Sequence, residues 1–308
     1  MISPQQALKI LGKRPTKSLG QHFLIHQATA GKIAAAIRPE PGDVVVEIGA
    51  GLGALTLPLS KSGARVIAVE IDSELAAFLH RQFRAKTGEE TVGVECMDIL
   101  KLDLVALHDR FKRKLKIIGN LPYNISSPVL FKLMEGADCI QEAVLMLQNE
   151  VAARVLAGPG SKDNSILSIM VAYHSERKQF MRVKPTQFHP QPKVDSQVIR
   201  LKFRSCPLTP RVEPPWLLQV VKAAFSHRRK TIKNSLLASN LPDLTPESVG
   251  TALEEAAIEF RKRPESLGLE DFLRLARAVS KMGAPCSVEQ VQKWLTWKKS
   301  HGNYTRLQ

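Results

Sequence analysis

The amino-acid sequence predicts an α/β domain with a parallel sheet covered on both faces by helices, followed by a small all-helical domain. Between residues 44 and 148, short apolar runs of strand length alternate with helical patterns, which is typical of a parallel sheet with helical crossovers. After residue 215 only helical patterns remain. The length of 308 residues also favours two domains, because single cores rarely grow beyond about 250–300 residues.

The individual elements follow from their apolar patterns and from the residues that interrupt them. We predict strands at 44–48, 65–70, 92–96, 116–119 and 142–148, with helices at 54–61, 73–84 and 127–134. Residues 178–183 and 197–203 are expected to form an antiparallel hairpin that closes one sheet edge. Prolines at 207, 210, 214 and 215 indicate a linker, and helices are expected at 216–226, 229–238, 246–256, 269–280 and near 288–298. The predicted domains are therefore residues 1–205 and 206–308.

The charge of the chain indicates a polyanionic partner. Lys and Arg number 44 against 29 Asp and Glu, and residues 1–39 carry six basic side chains and no acidic one. Such an excess attracts nucleic acid or an anionic membrane surface. The clustering of these basic residues is typical of an electrostatic footprint for nucleic acid. No apolar run approaches the ~18 residues of a membrane span. The four cysteines lack metal-ligand spacing, and we expect reduced thiols, no metal site and a cytoplasmic location.

Three polar features follow three successive predicted strands. Gly49, Gly51 and Gly53 come directly after the first strand, where glycines allow a tight turn and close approach of a ligand to the backbone. Glu70 ends the second strand, and its carboxylate can accept the ribose hydroxyls of an adenosine cofactor. Asp98 follows the third strand and can accept an adenine amino group. The GxGxG spacing favours a single nucleoside, although a dinucleotide-dependent oxidoreductase remains an alternative.

The tetrapeptide Asn120-Leu121-Pro122-Tyr123 follows the fourth strand and predicts the reacting site. An adenine amino nitrogen is a poor nucleophile because its lone pair is delocalised into the ring. Asn120 Oδ1 and the Leu121 carbonyl can accept both of its N–H bonds and direct the nitrogen at a methyl donor. Pro122 fixes the turn, and Tyr123 offers a ring for a flipped base to stack on. Phe188 is interpreted either as a second stacking face or as a core aromatic.

Five motifs in order resemble the KsgA-type ribosomal RNA adenine dimethyltransferases over about residues 15–280. They are GQHFL at 20–24, EIGAG at 47–51, NLPY at 120–123, FHPQPKVDS at 188–196 and FSHRRK at 225–230. The resemblance implies a Rossmann-like class I methyltransferase sheet and transfer of two methyl groups to each of two adjacent adenosines near the 3′ end of small-subunit rRNA. It implies S-adenosylmethionine as cofactor, without a metal. The implied cofactor contacts are His22, Leu24, Gly49, Gly51, Glu70, Ile71, Asp98, Ile99 and Asn120, with His22 and Leu24 in a lid from the N-terminal segment.

A basic cluster at the start of the second predicted domain is interpreted either as a phosphate-binding surface or as a solvated helix face. Its members are Arg228, Arg229, Lys230 and Lys233. The expected partner is small-subunit rRNA within the 30S-type particle, bound by a monomer. Two alternatives stay open: a non-catalytic assembly factor, and an Erm-type enzyme acting on large-subunit rRNA. Residues after about 281, including Trp294 and Trp297, match nothing in the family.

Overall fold

The structure of the protein is a computed structural model that describes residues 3–84, 91–206, 208–209, 212–227, 229–239, 241 and 244–281. The helix expected near 288–298 and the predicted RNA contact Arg228 lie outside these described residues. The described chain forms two compact units. The first contains the residues up to Ala152 together with His174–Ser205, and the second contains Ala153–Tyr173 and the described residues from Cys206 onward.

The elements are numbered here in chain order. The strands are β1 Phe23–Leu24, β2 Val44–Ile48, β3 Arg65–Glu70, β4 Val92–Cys96, β5 Leu115–Asn120, β6 Ile140–Gln148, β7 Ser175–Val183, β8 Phe188–His189 and β9 Ser196–Phe203. The helices are α1 Pro4–Ile10, α2 Gln27–Ala36, α3 Thr56–Leu59, α4 Ser73–Arg84, α5 Leu104–Phe111, α6 Ser126–Glu135, α7 Asn149–Leu156, α8 Ile166–His174, α9 Pro214–Phe225, α10 Ile232–Leu237, α11 Pro246–Glu255 and α12 Leu269–Ser280.

The first unit is built on a seven-stranded sheet with the order β4-β3-β2-β5-β6-β9-β7. The five strands from β4 to β6 are parallel, which confirms the predicted α/β class. β9 runs antiparallel to β6, and β7 runs antiparallel to β9. The predicted hairpin therefore forms, with β7 as the outer strand. All five residues of the central strand β2 are buried, as expected for a strand covered on both faces.

The parallel arrangement brings the carboxyl ends of β2, β3, β4 and β5 to one edge of the sheet, where open α/β sheets bind ligands. A second, two-stranded sheet lies in the same unit. In it β1 pairs antiparallel with β8, so that Phe23 faces His189 and Leu24 faces Phe188. This pairing fixes the N-terminal segment on the first unit.

The second unit is helical, and aromatic side chains tie its segments together. Tyr173 OH donates to Val212 O at 2.7 Å, and the rings of Phe225 and Phe272 stack with centroids 5.7 Å apart. Residues 153–173 belong to this unit, although the sequence-based division assigned them to the first domain. The Gly-Pro-Gly-Ser run at 158–161 is a loop signal within this segment, but the sequence-based division placed the boundary at the proline-rich stretch 207–215 instead. No helix in the described part of the chain is long and apolar enough to cross a membrane.

Candidate active site

A cavity opens at the carboxyl edge of the sheet in the first unit and encloses roughly 970 Å³, its open mouth included. Its walls come from the turn after β2, the ends of β3 and β5, the residues after β4, and the N-terminal segment. All nine predicted cofactor contacts line it: His22, Leu24, Gly49, Gly51, Glu70, Ile71, Asp98, Ile99 and Asn120. Leu121, Pro122 and Tyr123 line it as well. The topology thus brings the two predicted sites into one cavity.

The glycine turn brings the backbone to the cavity. Gly49 and Gly51 have φ values of +67° and +56°, in the left-handed region that favours glycine. A Cβ on Gly51 would lie 3.2 Å from the Phe23 ring, and a Cβ on Gly49 would lie 3.7 Å from Asn120 O. A side chain at Gly51 would therefore press against Phe23, whereas at Gly49 it is the left-handed backbone conformation that favours glycine.

Glu70 is the central anion of the cavity. One carboxylate oxygen accepts from Gly51 N at 2.8 Å, and the other accepts from Asp72 N at 2.9 Å. Burial raises the pKa of Glu70, while these two amide donors favour its charged form. Each oxygen keeps a further lone pair, so the carboxylate can also accept hydroxyl groups of a ligand. Ile71 beside it is 52% exposed and offers an apolar surface at the cavity wall.

Asp98 and Ile99 stand at the next strand end. Asp98 Oδ1 accepts from Leu100 N at 2.9 Å, which caps a short helical turn and orients the carboxylate at the cavity. Ile99 is buried in the same wall. Glu70 ends β3 and Asp98 follows β4, and these strands are neighbours in the sheet. Both acids therefore line the same cavity, as their positions after successive strands predicted.

The reacting segment is held by hydrogen bonds that orient Asn120. Its Nδ2 donates to the carbonyl of His22 at 2.8 Å, and because a carbonyl can only accept, this bond fixes which way the amide points. The acceptor Oδ1 is then left for a substrate N–H group. Leu121 N donates to Met146 O at 3.1 Å, and Pro122 O accepts from Ile125 N at 3.2 Å. The peptide group of Leu121 is thereby fixed relative to the sheet.

Tyr123 is held at both its ring and its hydroxyl. Its OH lies 3.0 Å from Ser196 Oγ, and its ring stacks on the ring of His22 with centroids 5.4 Å apart. His22 is fixed in turn by a hydrogen bond from Nδ1 to Pro190 O at 2.7 Å. Burial raises the pKa of Tyr123, so its hydroxyl stays protonated at neutral pH. The tyrosine is an oriented aromatic surface rather than an acid or base.

Phe188 does not line the cavity. Its side chain is 3% exposed and packs in the hydrophobic core with Leu24, Met146 and Val198. The interpretation as a second stacking face is therefore replaced by the alternative, a core aromatic. The reason is its place in β8, where pairing with Leu24 turns the ring inward.

Glu47 is a cavity residue to which the sequence analysis assigned no role. Its side chain is buried within β2, and its Oε2 accepts from Thr56 Oγ1 at 2.6 Å. Burial raises the pKa of Glu47 to about 8, with the charge of Glu70 adding to the increase. A glutamate inside an otherwise apolar strand run was the only signal in the sequence that could have identified it.

Replacing Glu47 with glutamine is expected to remove the fall in stability that its carboxyl group contributes as the pH rises from 5 to 8. The folded pKa of about 8 lies above the ordinary value of 4.5, so the folded state binds more protons and wild-type stability falls as the pH rises through this window. Glutamine cannot ionise. Urea unfolding at pH 6 and pH 8.5 should show a larger drop for the wild type than for Glu47→Gln. Equal drops would contradict the assignment.

A second unforeseen feature is an ionic latch between the N-terminal segment and the cavity rim, formed by Lys13, Gln21 and Asp72. Lys13 Nζ contacts Asp72 Oδ1 at 2.5 Å and Glu74 Oε2 at 2.6 Å, and Gln21 Nε2 donates to Asp72 Oδ2 at 3.2 Å. Burial alone would raise the pKa of Asp72, but the bond from Lys13 holds that pKa below its ordinary value. Asp72 lies two residues after Glu70, so the latch ties the segment beside the cofactor contacts.

Replacing Lys13 with methionine is expected to weaken binding of S-adenosylmethionine by about 3- to 10-fold. Loss of one partly buried ion pair on the order of 1 kcal/mol would loosen the segment that carries His22 and Leu24. Titration calorimetry measures the change. The matched control is Lys9→Met, which changes an exposed lysine in α1. A Lys13→Met protein that binds as tightly as the Lys9→Met protein would show that the latch does not support the cavity.

The predicted RNA contacts are in the second unit. Arg229 and Lys230 are exposed in the turn before α10. Lys233 is half-buried, with its Nζ 5.0 Å from the centre of the Phe260 ring, a cation–π contact. Lys233 is thus held in place, and Arg229 and Lys230 extend into solvent. In the described part of the chain no group of His, Cys, Asp and Glu is arranged to hold a metal ion.

Comparison with known proteins places the chain among RNA-modifying enzymes. The family model described as ribosomal RNA adenine dimethylase matches residues 12–279. A protein named ribosomal RNA small subunit methyltransferase A from Desulfotalea psychrophila is 38% identical over 268 residues, covering 85% of this chain and 90% of its own length. The protein of the same name from Nitrosococcus oceani is 40% identical over 271 residues, covering 88% and 98%.

Solved structures agree with this placement. A dimethyladenosine transferase from Plasmodium falciparum has a TM-score of 0.73 at 27% identity and covers 85% of this chain and 98% of its own. The 23S rRNA methyltransferase ErmE has a TM-score of 0.64 at 27% identity, covering 83% and 98%. Both share the class I methyltransferase sheet. The family model and the relatives together show that this chain belongs to the ribosomal RNA adenine dimethylase family.

Proposed function

We propose that the protein transfers methyl groups from S-adenosylmethionine to the N6 amino groups of two adjacent adenosines near the 3′ end of small-subunit rRNA. The observation that carries the proposal is the fixed amide of Asn120, whose donor side is bound to His22 O and whose acceptor is left at the cavity. The names of the relatives, small subunit methyltransferase A, support the small-subunit substrate.

The residues of the cavity fit S-adenosylmethionine. The glycine turn exposes its main chain at the cavity wall, Glu70 can accept two ribose hydroxyls, and Asp98 can accept an adenine amino group. Ile71 and Ile99 line the same wall and suit the faces of a purine. When bound, the cofactor supplies a methyl group on a positively charged sulfur. The chemistry requires no metal ion.

Asn120 Oδ1 and the Leu121 carbonyl would accept hydrogen bonds from the two N–H groups of the target adenine. These two hydrogen bonds would localise the lone pair on the N6 nitrogen, instead of leaving it delocalised in the ring. They would also point that lone pair at the methyl group of the cofactor. The nitrogen becomes acidic once it is methylated, so no strong base is needed and catalysis rests on placement. A neutral amide suits this position, because a carboxylate there would bury a second charge near Glu70.

Tyr123 would provide the surface on which the flipped base stacks. Its hydroxyl is bound to Ser196 and one ring face is covered by His22, so its orientation is set before RNA arrives. We place the reaction in the cytoplasm, on the 30S-type particle, with the protein acting as a monomer. Arg228, Arg229, Lys230 and Lys233 would contact phosphates, and the net charge of +15 suits this partner.

The deciding experiment incubates the protein with radiolabelled S-adenosylmethionine and small ribosomal subunits that lack the modification. The proposal predicts label in dimethyladenosine after digestion of the small-subunit rRNA. Label confined to monomethyladenosine, or found in large-subunit rRNA, would instead favour an Erm-type enzyme. Tight binding of subunits without any label would favour an assembly factor.

A further inference from the structure

The outer edge strand β7 carries a basic strip that the site described above does not use. β7 ends the sheet order and pairs only with β9 among the described strands. Arg182 and Lys184 are exposed at its carboxyl end, and Phe180 is 47% exposed at a bulge in the ladder. Lys178 is also exposed, but the bulge reverses the alternation of side chains and places it on the opposite face of the sheet from Arg182. Because the bulged residue has no partner in β9, its ring is free to turn outward.

The strip begins next to the reacting segment. β7 runs parallel to β6, since each is antiparallel to β9, so its carboxyl end lies at the same sheet edge as the cavity. Val183 pairs with Ser196, and Ser196 Oγ lies 3.0 Å from Tyr123 OH. Arg182 and Lys184 are the neighbours of Val183 in the chain. They therefore lie close to Ser196, which holds the hydroxyl of Tyr123.

The charges of the strip are not neutralised by the protein. Two acidic side chains near the strip are already engaged: Glu176 pairs with Arg204 at 3.7 Å, and Glu142 accepts from Arg200 at 2.7 Å. Asp195 lies one residue beyond the pair of Val183 with Ser196, beside Lys184, and forms no ion pair with it. Within the described residues Lys178, Arg182 and Lys184 form no ion pair. Arg182 and Lys184 are two residues apart, which is about 7 Å in an extended chain. Two unpaired cations at this spacing, beside an aromatic ring, suit a single-stranded polyphosphate whose bases can stack.

We propose that the carboxyl end of this edge, with Phe180, Arg182 and Lys184, binds the RNA strand that flanks the target adenosines. The inference rests on the proposed function. It adds a contact surface on the methyltransferase unit itself, beside the reaction site, where flanking phosphates must pass when a base enters the cavity. Phosphate contacts here position the strand without reading its sequence.

Lysine and arginine on an edge strand can also serve to prevent that strand from pairing with another protein chain, a role called edge protection here. The test must therefore distinguish RNA binding from edge protection. The variant Arg182→Gln with Lys184→Gln removes two cations beside the site. The matched control, Arg113→Gln with Lys114→Gln, removes one arginine and one lysine from the exposed turn before β5, at the opposite sheet edge. Each variant replaces one arginine and one lysine with the same shorter, neutral side chain.

Binding of fluorescently labelled, under-methylated small subunits is measured from 50 to 300 mM salt. We expect the β7 variant to bind about tenfold or more weakly at low salt, with the slope of log K against log salt smaller by about 1.4–1.8, or 0.7–0.9 for each contact. The control should keep the wild-type slope. Adding Phe180→Ala should weaken binding further with no change in slope, because stacking releases no counterions.

An unchanged slope in the β7 variant, or an equal loss in the control, would overturn the proposal. Aggregation of the variant on size exclusion, with unchanged subunit affinity, would also overturn it and assign the charges to edge protection. Affinity for S-adenosylmethionine should stay at the wild-type value. If wild-type protein binds subunits without methylating them, the proposed function fails, while the slope still decides the role of β7.

Discussion

Replacing Asn120 with alanine is expected to lower kcat by about 10²–10³-fold and to leave the Kd for S-adenosylmethionine within a few-fold of the wild-type value. The size follows from the loss of one preorganised hydrogen-bonding group in a transition state, which costs on the order of 3–4 kcal/mol. The Asn120 acceptor works on the adenine amine, and the cofactor is held mainly by groups on other strands. The loss should therefore appear in turnover rather than in cofactor affinity.

Asn124 provides a matched control for this substitution. Its Nδ2 donates to Ser18 O at 3.1 Å, so it also ties the loop after β5 to the N-terminal segment, but it does not line the cavity. Asn124→Ala should therefore keep most of the turnover. Single-turnover methylation and cofactor titration of both variants measure the two quantities. Equal activity of the Asn120→Ala and Asn124→Ala proteins would refute the role of Asn120.

Local patterns predicted most of the sheet and its helices. The bounds of β3 agree with the predicted range, because the apolar run ends at the charged residue Glu70. α4 begins at the predicted residue, Ser73. The helix predicted at 229–238 begins later, at Ile232, because Thr231 caps it by accepting from Asn234 N. The pairing of β1 with β8 was not predicted. Strands of two residues have no periodicity, and their partners lie far apart in the chain.

Site residues could be predicted from the sequence where they stand at the end of a strand. They could not be predicted where their position depends on contacts between segments that are far apart in the chain. Gly49, Glu70 and Asp98 each follow a strand, so the parallel topology alone brings them together. The inward ring of Phe188 is set by pairing between segments that local sequence does not connect. The latch from Lys13 to Asp72 is likewise a tertiary contact, visible only once the N-terminal segment is in place.

The N-terminal segment connects the two halves of the cavity. Lys13 binds beside the cofactor contacts through Asp72, while the carbonyl of His22 accepts from Asn120 in the reacting segment. The segment therefore both lines the cavity and orients the Asn120 amide. Cofactor binding, which would order this segment further, is expected to favour the reactive orientation of Asn120.

Replacing Glu70 with glutamine is expected to raise the Kd for S-adenosylmethionine by about 10- to 100-fold, with kcat at saturating cofactor changed far less. Hydrogen bonds to a charged acceptor are worth about 1.5–3 kcal/mol, and the amide keeps only one acceptor oxygen for Gly51 N and Asp72 N. Its NH2 group faces an amide donor and can no longer accept a ribose hydroxyl. This pattern is the reverse of that expected for Asn120→Ala. In the proposed reaction Glu70 binds the methyl donor, S-adenosylmethionine, whereas Asn120 orients the adenine amino group that accepts the methyl group.

The control for Glu70→Gln is Glu95→Gln. Glu95 is an exposed residue of β4, and it pairs with Val69, the neighbour of Glu70 in β3. The Glu95→Gln protein should bind cofactor as the wild type does. Calorimetric titration measures the affinities, and thermal unfolding without cofactor separates lost binding from lost folding. A Glu70→Gln protein that melts near the wild-type temperature and still binds S-adenosylmethionine with wild-type Kd would contradict the ribose assignment. Lower kcat at full saturation would instead move Glu70 into the transfer step, because uniform binding changes KM alone.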